Sequence, residues 1–173
     1  MGLDPARLQG LIRPWINDEE WEEDIMKGPQ EFCRSYGKAM EDKDGQALAR
    51  HYFFPYISFT LGQVHSFDDR ATADKACTLQ IAGFERAGVG TDIRIKDVKI
   101  VPVSEDSALC HLTWEIVPVD GTPGWSWLNI YGYRRRGEEE GFEFNISDNE
   151  ITELLQRFPD FFEPHPEAVQ AEG

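Results

Sequence analysis

The polar side chains that could carry chemistry lie among aromatic residues. Asn129 stands between Trp127 and Tyr131, and the alternation of this stretch places all three on one face of a predicted strand. An amide on an aromatic face can hydrogen-bond a ligand, or it can pair with backbone or water. We predict that this face forms the floor of a pocket, and both interpretations of Asn129 stay open.

Three ionisable groups are candidates for moving a proton. Glu41 ends a predicted helix, His65 lies near the end of a predicted hairpin, and Asp148 closes the last predicted strand. A carboxyl group that points into an apolar pocket has a raised pKa and becomes a usable base, whereas histidine titrates near neutral pH. The structural alternatives are a solvated Glu41, a surface His65 and an Asp148 that caps the final helix.

Aromatic residues could surround a flat ligand. Tyr56 and Trp114 join Trp127 and Tyr131 as candidate pocket residues, and core packing is the alternative for each of them. Tyr36 lies on the apolar face of the first predicted helix, so it is either a pocket residue or a core tyrosine with a satisfied hydroxyl. These side chains need a curved scaffold to bring them together.

The hydrophobic spacing predicts such a scaffold. Pro29 suits the first turn of a helix, Tyr52 is expected to point inward from a second helix, and the alternation slips near Asp97, which predicts a bulge. The predicted helices span about 29–42, 45–54, 69–87 and 151–158, and the predicted strands 56–61, 64–67, 91–103, 107–119, 125–135 and 141–148. Helices followed by a run of strands indicate an α+β fold, with one strongly bent antiparallel sheet around three helices and a hollow between them.

Three regions are predicted along the chain. Residues 1–28 form an acidic helical leader, which Trp15, Trp21 and Ile25 attach to the body or to a partner subunit. Residues 29–162 form the folded domain. Residues 163–173 are rich in proline, glutamate and alanine, and this composition predicts a disordered tail.

Composition and charge exclude several classes of protein. The net charge of −15 would repel nucleic acid, no apolar window approaches the ~18 residues that a membrane span needs, and the N-terminus lacks a signal-peptide pattern. Cys33, Cys77 and Cys110 fall in predicted helices or strands, so we predict buried free thiols. Without a CxxC motif or a Cys/His cluster, no metal site is predicted. We expect a cytoplasmic protein.

The order of elements resembles the NTF2-like superfamily, which includes ketosteroid isomerase, scytalone dehydratase and the SnoaL-like cyclases. The resemblance covers about residues 29–158 and is carried by the pattern of elements and by the stretches 36–55, 103–106 and 129–135. It implies a cone whose mouth holds an apolar small molecule, chemistry without a cofactor, and a homodimer built through the outer face of the sheet.

Ketosteroid isomerase supplies one comparison of residues. The resemblance places Tyr36 where that enzyme has a tyrosine that donates to the substrate oxygen, a role that suits a neutral, packed phenol. It places Thr60 where that enzyme has its general-base aspartate. Threonine cannot remove a carbon-bound proton near neutral pH, so Thr60 is expected only to line the pocket.

Scytalone dehydratase supplies the other comparison. Its pocket asparagine matches Asn129, its helix-end aspartate matches Glu41, and one pocket tyrosine matches Thr60. Its two catalytic histidines fall near Ile93 and Pro118, which cannot donate a proton to a leaving hydroxyl. The resemblance therefore implies a lyase or isomerase that acts on an apolar carbonyl compound. The alternative is a non-catalytic module that binds a small ligand or a protein.

Overall fold

The structure is a computed structural model that describes residues 19–87, 92–118, 121 and 123–161. Within these residues the chain forms four helices and six strands. The helices are α1 (Glu19–Glu41), α2 (Gly45–Ala49), α3 (Arg70–Arg86) and α4 (Asp148–Arg157). The strands are β1 (Tyr52–Thr60), β2 (Gln63–Phe67), β3 (Asp92–Ser104), β4 (Ser107–Val117), β5 (Trp125–Arg136) and β6 (Glu139–Ile146).

The six strands form one curled, open sheet in the order β2-β1-β6-β5-β4-β3. Neighbouring strands are antiparallel except β1 and β6, which are parallel. The register of β3 against β4 shifts between Ile95 and Asp97, at the predicted bulge. The predicted α+β class with a bent sheet around helices is confirmed, although one strand pair is parallel rather than antiparallel.

The core fills the concave side of this sheet. Along β4 the burial alternates strictly, as expected for a strand with one face against helices. Leu112 and Trp114 are buried on that inner face, whereas His111, Thr113 and Glu115 lie on the opposite face, as their spacing predicts. Helix α1 packs on β3, and α4 packs on β5. The helices and the inner face therefore enclose the region where the predicted pocket residues meet.

The predicted start of the first helix was wrong. Helix α1 begins at Glu19 and continues through Pro29, so the predicted boundary between residues 28 and 29 falls inside it. Residues 19–23 are mostly glutamate, a strong helix former, and a helical proline removes one backbone hydrogen bond. The helical preference before Pro29 exceeds that loss.

The second predicted helix was also too long. Helix α2 ends at Ala49, and Tyr52 begins β1 instead of pointing inward from a helix. The aromatic run 52–54 favours a strand, and the N–H of Phe142 donates to the carbonyl of His51 at 2.7 Å, which ties the start of β1 to β6. The pairing of β1 with β6 is irregular between Tyr52 and Ile57, around Pro55, which has no N–H to donate.

The remaining expectations divide between tested and untested regions. Residues 1–18 and 162–173 lie outside the described residues, so the leader and the disordered tail stay predictions. The three cysteines are buried and free, as predicted. Among the residues that the structure describes, no helix has the length and apolarity to cross a bilayer, and no group of three or more His, Cys, Asp or Glu side chains could hold a metal ion.

Candidate functional site

A cavity of about 1040 Å³ lies between the inner face of the sheet and helices α1, α3 and α4. Its wall is mostly aromatic and aliphatic, with a few polar groups. This size and lining are typical of a site for a small organic molecule. Eight predicted site residues line it: Tyr36, Tyr56, Thr60, His65, Trp114, Trp127, Asn129 and Tyr131.

The two other predicted site residues lie outside the lining. Glu41 is exposed at the end of α1. Asp148 is also exposed, and its carboxylate accepts a hydrogen bond from the backbone N–H of Leu61. Ser147, not Asp148, is the residue that precedes α4. Neither interpretation of Asp148, as an inward-facing carboxyl or as the helix cap, holds in the structure, because Asp148 lies in the first turn of α4 and binds the turn between β1 and β2.

A buried carboxyl group that the sequence analysis missed, that of Glu150, lines the cavity. It is 5% exposed. One carboxylate oxygen accepts from Gln80 Nε2 at 2.6 Å, and the other accepts from Asn129 Nδ2 at 2.7 Å. Burial raises the pKa of Glu150 from its ordinary value of 4.5 to about 6, and the two amide donors oppose that rise. The cavity therefore contains a carboxyl group that titrates close to neutral pH.

The sequence around Glu150 contains two patterns, one of which predicts a buried side chain and the other an exposed one. It lies four residues before the buried Leu154, so both side chains share a helix face that the sequence marks as apolar. It also completes the pattern Ser147-x-x-Glu150, which is typical of a capping box on the helix surface. In the structure, the N–H of Ser147 donates to the carbonyl of Phe59 at 3.0 Å, so Glu150 is not needed as a cap.

Tyrosine hydroxyls form a second polar group in the wall. Tyr36 and Tyr52 hydrogen-bond through their hydroxyls at 2.8 Å, and the Cys77 thiol donates to Tyr52 at 3.7 Å. The ring of Tyr56 stacks on Tyr52 with centroids 3.9 Å apart. Burial raises the pKa of Tyr36, Tyr52 and Tyr56, so these phenols stay neutral and can donate hydrogen bonds. Tyr52 was missed because it was predicted to lie on a helix.

Asn129 joins the carboxyl group to the phenols. Its amide nitrogen donates to Glu150 and also to the Tyr131 hydroxyl at 3.3 Å. The ring of Tyr131 meets the ring of Tyr36 edge to face, with centroids 5.3 Å apart. Within the described part of the chain, Asn129 Oδ1 and the Tyr56 hydroxyl are buried without a hydrogen-bond partner. Asn145 Oδ1 and the indole N–H groups of Trp114 and Trp127 are also buried without a partner in the described wall, so acceptors and donors are both left for a ligand.

A row of small hydroxyl groups lines another part of the cavity. Thr60 Oγ1 lies 3.2 Å from Ser58 Oγ and 2.7 Å from Ser147 Oγ. These groups can hydrogen-bond a ligand, but they are not bases near neutral pH. His65 lines the cavity from β2 and is exposed. Of the lining groups in the described part of the chain, Glu150 is the carboxyl that titrates close to neutral pH.

Comparisons with known proteins identify the fold. No family model matches the chain, and no curated protein matches it. An NTF2-like protein of unknown function from Shewanella oneidensis MR-1 superposes with a TM-score of 0.54 at 8% identity, covering 72% of this chain and 97% of that one. A cystatin-like domain of unknown function from Nostoc punctiforme gives 0.56 at 15% identity, with 86% and 92% covered.

A third solved structure has an activity in its name. This Novosphingobium aromaticivorans protein, named as a proposed scytalone dehydratase, gives a TM-score of 0.54 at 14% identity and covers 74% of this chain and 85% of that one. Identities this low establish shared architecture rather than shared activity. The chain has the NTF2-like cone fold, as predicted.

Proposed function

We propose that this chain is a small lyase or isomerase that acts on an apolar carbonyl compound by acid–base catalysis, without a cofactor. The observation that carries the proposal is the buried carboxyl group of Glu150 in the wall of an aromatic cavity. With a pKa of about 6, it is mostly ionised at neutral pH and still basic enough to accept a proton. Its position is held by Asn129 and Gln80.

The first step would be formation of an enolate. The Glu150 carboxylate takes a proton from the carbon next to the carbonyl, and the C–H electron pair moves toward the carbonyl oxygen. Neutral phenols in the wall stabilise the negative charge that develops on this oxygen. The Tyr56 hydroxyl has no hydrogen-bond partner and can donate to it. Tyr36 hydrogen-bonds Tyr52, and the ring of Tyr52 stacks on that of Tyr56. Aromatic walls exclude water and bind the rest of the substrate.

The second step decides between the two reaction classes. In an isomerase, protonated Glu150 returns the proton to a different carbon of the enolate. In a lyase, the enolate re-forms the carbonyl, its C=C electrons form the new α,β double bond, and the bond from the β-carbon to the leaving group breaks. The departing group takes the proton from Glu150. Both classes share the enolisation step, so one assay tests both.

Enolisation can be measured without knowing the natural substrate. 2-Tetralone is an apolar bicyclic ketone, and exchange of its α-protons in D₂O can be followed by proton NMR. We expect the wild-type chain to accelerate exchange above the buffer rate, and Glu150→Gln to reduce that acceleration at least 100-fold, since a positioned base contributes about 10² to 10⁴. Glu41→Gln, which changes an exposed carboxyl outside the cavity, should retain the wild-type rate. A Glu150→Gln variant that exchanges at the wild-type rate would show that Glu150 is not the base.

A non-catalytic ligand-binding module is the second candidate. One observation favours it: both carboxylate oxygens of Glu150 already accept hydrogen bonds, as in a purely structural buried carboxylate. This candidate predicts that 2-tetralone raises the melting temperature of the protein while its α-protons exchange at the buffer rate. The NMR assay and a thermal-shift assay on the same sample separate the two candidates.

We also propose a homodimer through the outer face of the sheet. The strand registers align Val64, Phe59, Ile146 and Ile130 in one row across β2, β1, β6 and β5. Val64, Phe59 and Ile146 are 64%, 41% and 38% exposed. A contiguous apolar row of this kind on a sheet face is typical of a protein–protein contact. A second copy of the chain would cover it without altering the cavity on the opposite face.

A further inference from the structure

The cavity wall includes a cation that the acid–base proposal does not use. Arg86, in the last turn of α3, lines the cavity and is exposed. The exposed lining residues Leu79 and Arg86, both on α3, mark where this side of the cavity meets solvent, and we call this region the mouth. A guanidinium group at the mouth would meet the part of a ligand that stays nearest to water.

Arg86 has no carboxylate partner among the residues described. Most other arginines in that part of the chain pair with acids: Arg50, Arg94, Arg134, Arg135, Arg136 and Arg157. The neighbouring Glu85 instead contacts Lys43 at 3.4 Å. In a chain of net charge −15, an unpaired arginine on a cavity wall is the exception, because acidic partners are abundant.

Arg86 lies on the same helix as Gln80, a residue that binds the Glu150 carboxylate. Gln80, which holds Glu150, and Arg86 are six residues apart on the same helix, or about 9 Å along the axis at 1.5 Å per residue. Trp127 and Phe161 also line the cavity, and Phe84, between Gln80 and Arg86 on α3, contacts both aromatic rings. A two-ring ligand spans about this length.

We propose that the ligand carries a carboxylate, which binds Arg86 at the mouth while an aromatic or alicyclic ring system fills the cavity toward Glu150. This rests on the proposed function only in that both use the same cavity. Arginine binds a carboxylate with two parallel hydrogen bonds, which also orients the ligand. Taken together with the proposed function, the ligand carboxylate narrows the substrate class from an apolar ketone to a ring-containing keto acid.

The test compares two probes of the same shape. Naphthalene-2-carboxylate carries the charge, and naphthalene-2-carboxamide is its neutral counterpart; isothermal titration calorimetry gives the affinity of the full chain for each. We expect the wild type to bind the carboxylate at least 10-fold more tightly than the amide. Arg86→Gln should remove that preference and leave amide binding unchanged, and Arg86→Lys should keep part of it.

Arg70→Gln is the matched control. Arg70 lies on the same helix and is exposed, and its guanidinium lies 5.8 Å from the Phe54 ring instead of lining the cavity. The Arg70→Gln substitution removes the same charge as Arg86→Gln, so a general effect of net charge would appear in both variants. Equal affinity of the wild type for the two probes, no binding of the carboxylate at millimolar concentration, or a preference that survives Arg86→Gln overturns the inference.

The calorimetry and the exchange assay can each disprove one proposal without disproving the other. If the wild type shows no preference for the carboxylate but exchange of 2-tetralone still depends on Glu150, the acid–base proposal holds and Arg86 has no role in binding. Arg86-dependent carboxylate binding without exchange would remove the acid–base proposal and identify the cavity as a binding site for ring-containing acids.

Discussion

The two faces of strand β5 differ in chemistry although they share one backbone. Trp127, Asn129 and Tyr131 lie on the inner face and are buried, and Asn129 connects the carboxyl of Glu150 to a phenol. Leu128 and Ile130 lie on the outer face, where Leu128 is 40% exposed. The inner face combines aromatic and polar groups around a cavity, and the outer face presents apolar side chains.

The two faces differ in whether their polar side chains are buried and hydrogen-bonded or exposed to water. On the inner face, the buried carboxylate of Glu150 accepts hydrogen bonds from Asn129 and Gln80, which offset part of the cost of its burial. On the outer face, the cation of a charged pair such as Arg94 with Glu115 is half exposed to water, which weakens the ion pair. The inner face is therefore the region where single polar substitutions should have large effects, and the outer face is the region where a charge should affect association.

The largest expected change is on the outer face, because it alters the assembly itself. Ile146→Lys places a charge in the centre of the apolar row. We expect light scattering to give twice the 19.8 kDa chain mass for the wild type and the single-chain mass for the variant. Leu79→Lys, at an exposed apolar position on α3, should stay dimeric. A wild-type mass of one chain at micromolar concentration would contradict the dimer.

A substitution on the inner face should mainly cost stability. Asn129→Leu removes the donors to Glu150 and Tyr131 while keeping similar volume. We expect the free energy of unfolding to fall by about 3 kcal/mol, because a buried carboxylate loses a charge-assisted hydrogen bond. The pKa of Glu150 should rise above about 6, since Asn129 opposes the effect of burial. Urea denaturation and the pH profile of exchange measure the two effects.

Ser126→Leu is the control for Asn129→Leu. It introduces the same side chain at an exposed position of the same strand, so we expect the free energy of unfolding to change by at most about 0.5 kcal/mol. Similar losses from both substitutions would mean that leucine disturbs β5 in general and that the Asn129 hydrogen bonds contribute little.

A smaller effect should appear as a dependence of stability on pH. The pKa of Glu150 is raised in the folded state, so the folded chain favours the protonated form. Below about pH 4.5 the carboxyl is protonated in both states and ionisation costs nothing. As pH rises through about 6, the wild type should lose up to about 2 kcal/mol relative to Glu150→Gln. Denaturation of both proteins at pH 4.5 and 7.5 measures this change, and a constant difference would contradict the raised pKa.

Part of the site could be read from the sequence because strand periodicity is local. Alternation over 125–135 placed Asn129 with its aromatic neighbours on the inner face, and all three line the cavity. Glu150 and Tyr52 were missed for physical reasons. The residues from Ser147 to Glu150 fit both an apolar helix face, which predicts a buried Glu150, and a capping box, which predicts an exposed one. Tyr52 is in a strand because β6 pairs with β1, and this pairing is not visible in the local sequence.

Local patterns alone determined the type and order of most elements, the bulge near Asp97 and the burial of the cysteines. Only the tertiary structure decided which carboxyl group enters the cavity. Glu41, Asp148 and Glu150 are all acidic residues at or near a helix end, and the sequence does not distinguish them. In the structure, Asn129 from β5 and Gln80 from α3 both donate to Glu150. Hydrogen-bond donors from distant strands and helices can compensate the burial of a charge, and no local pattern contains them.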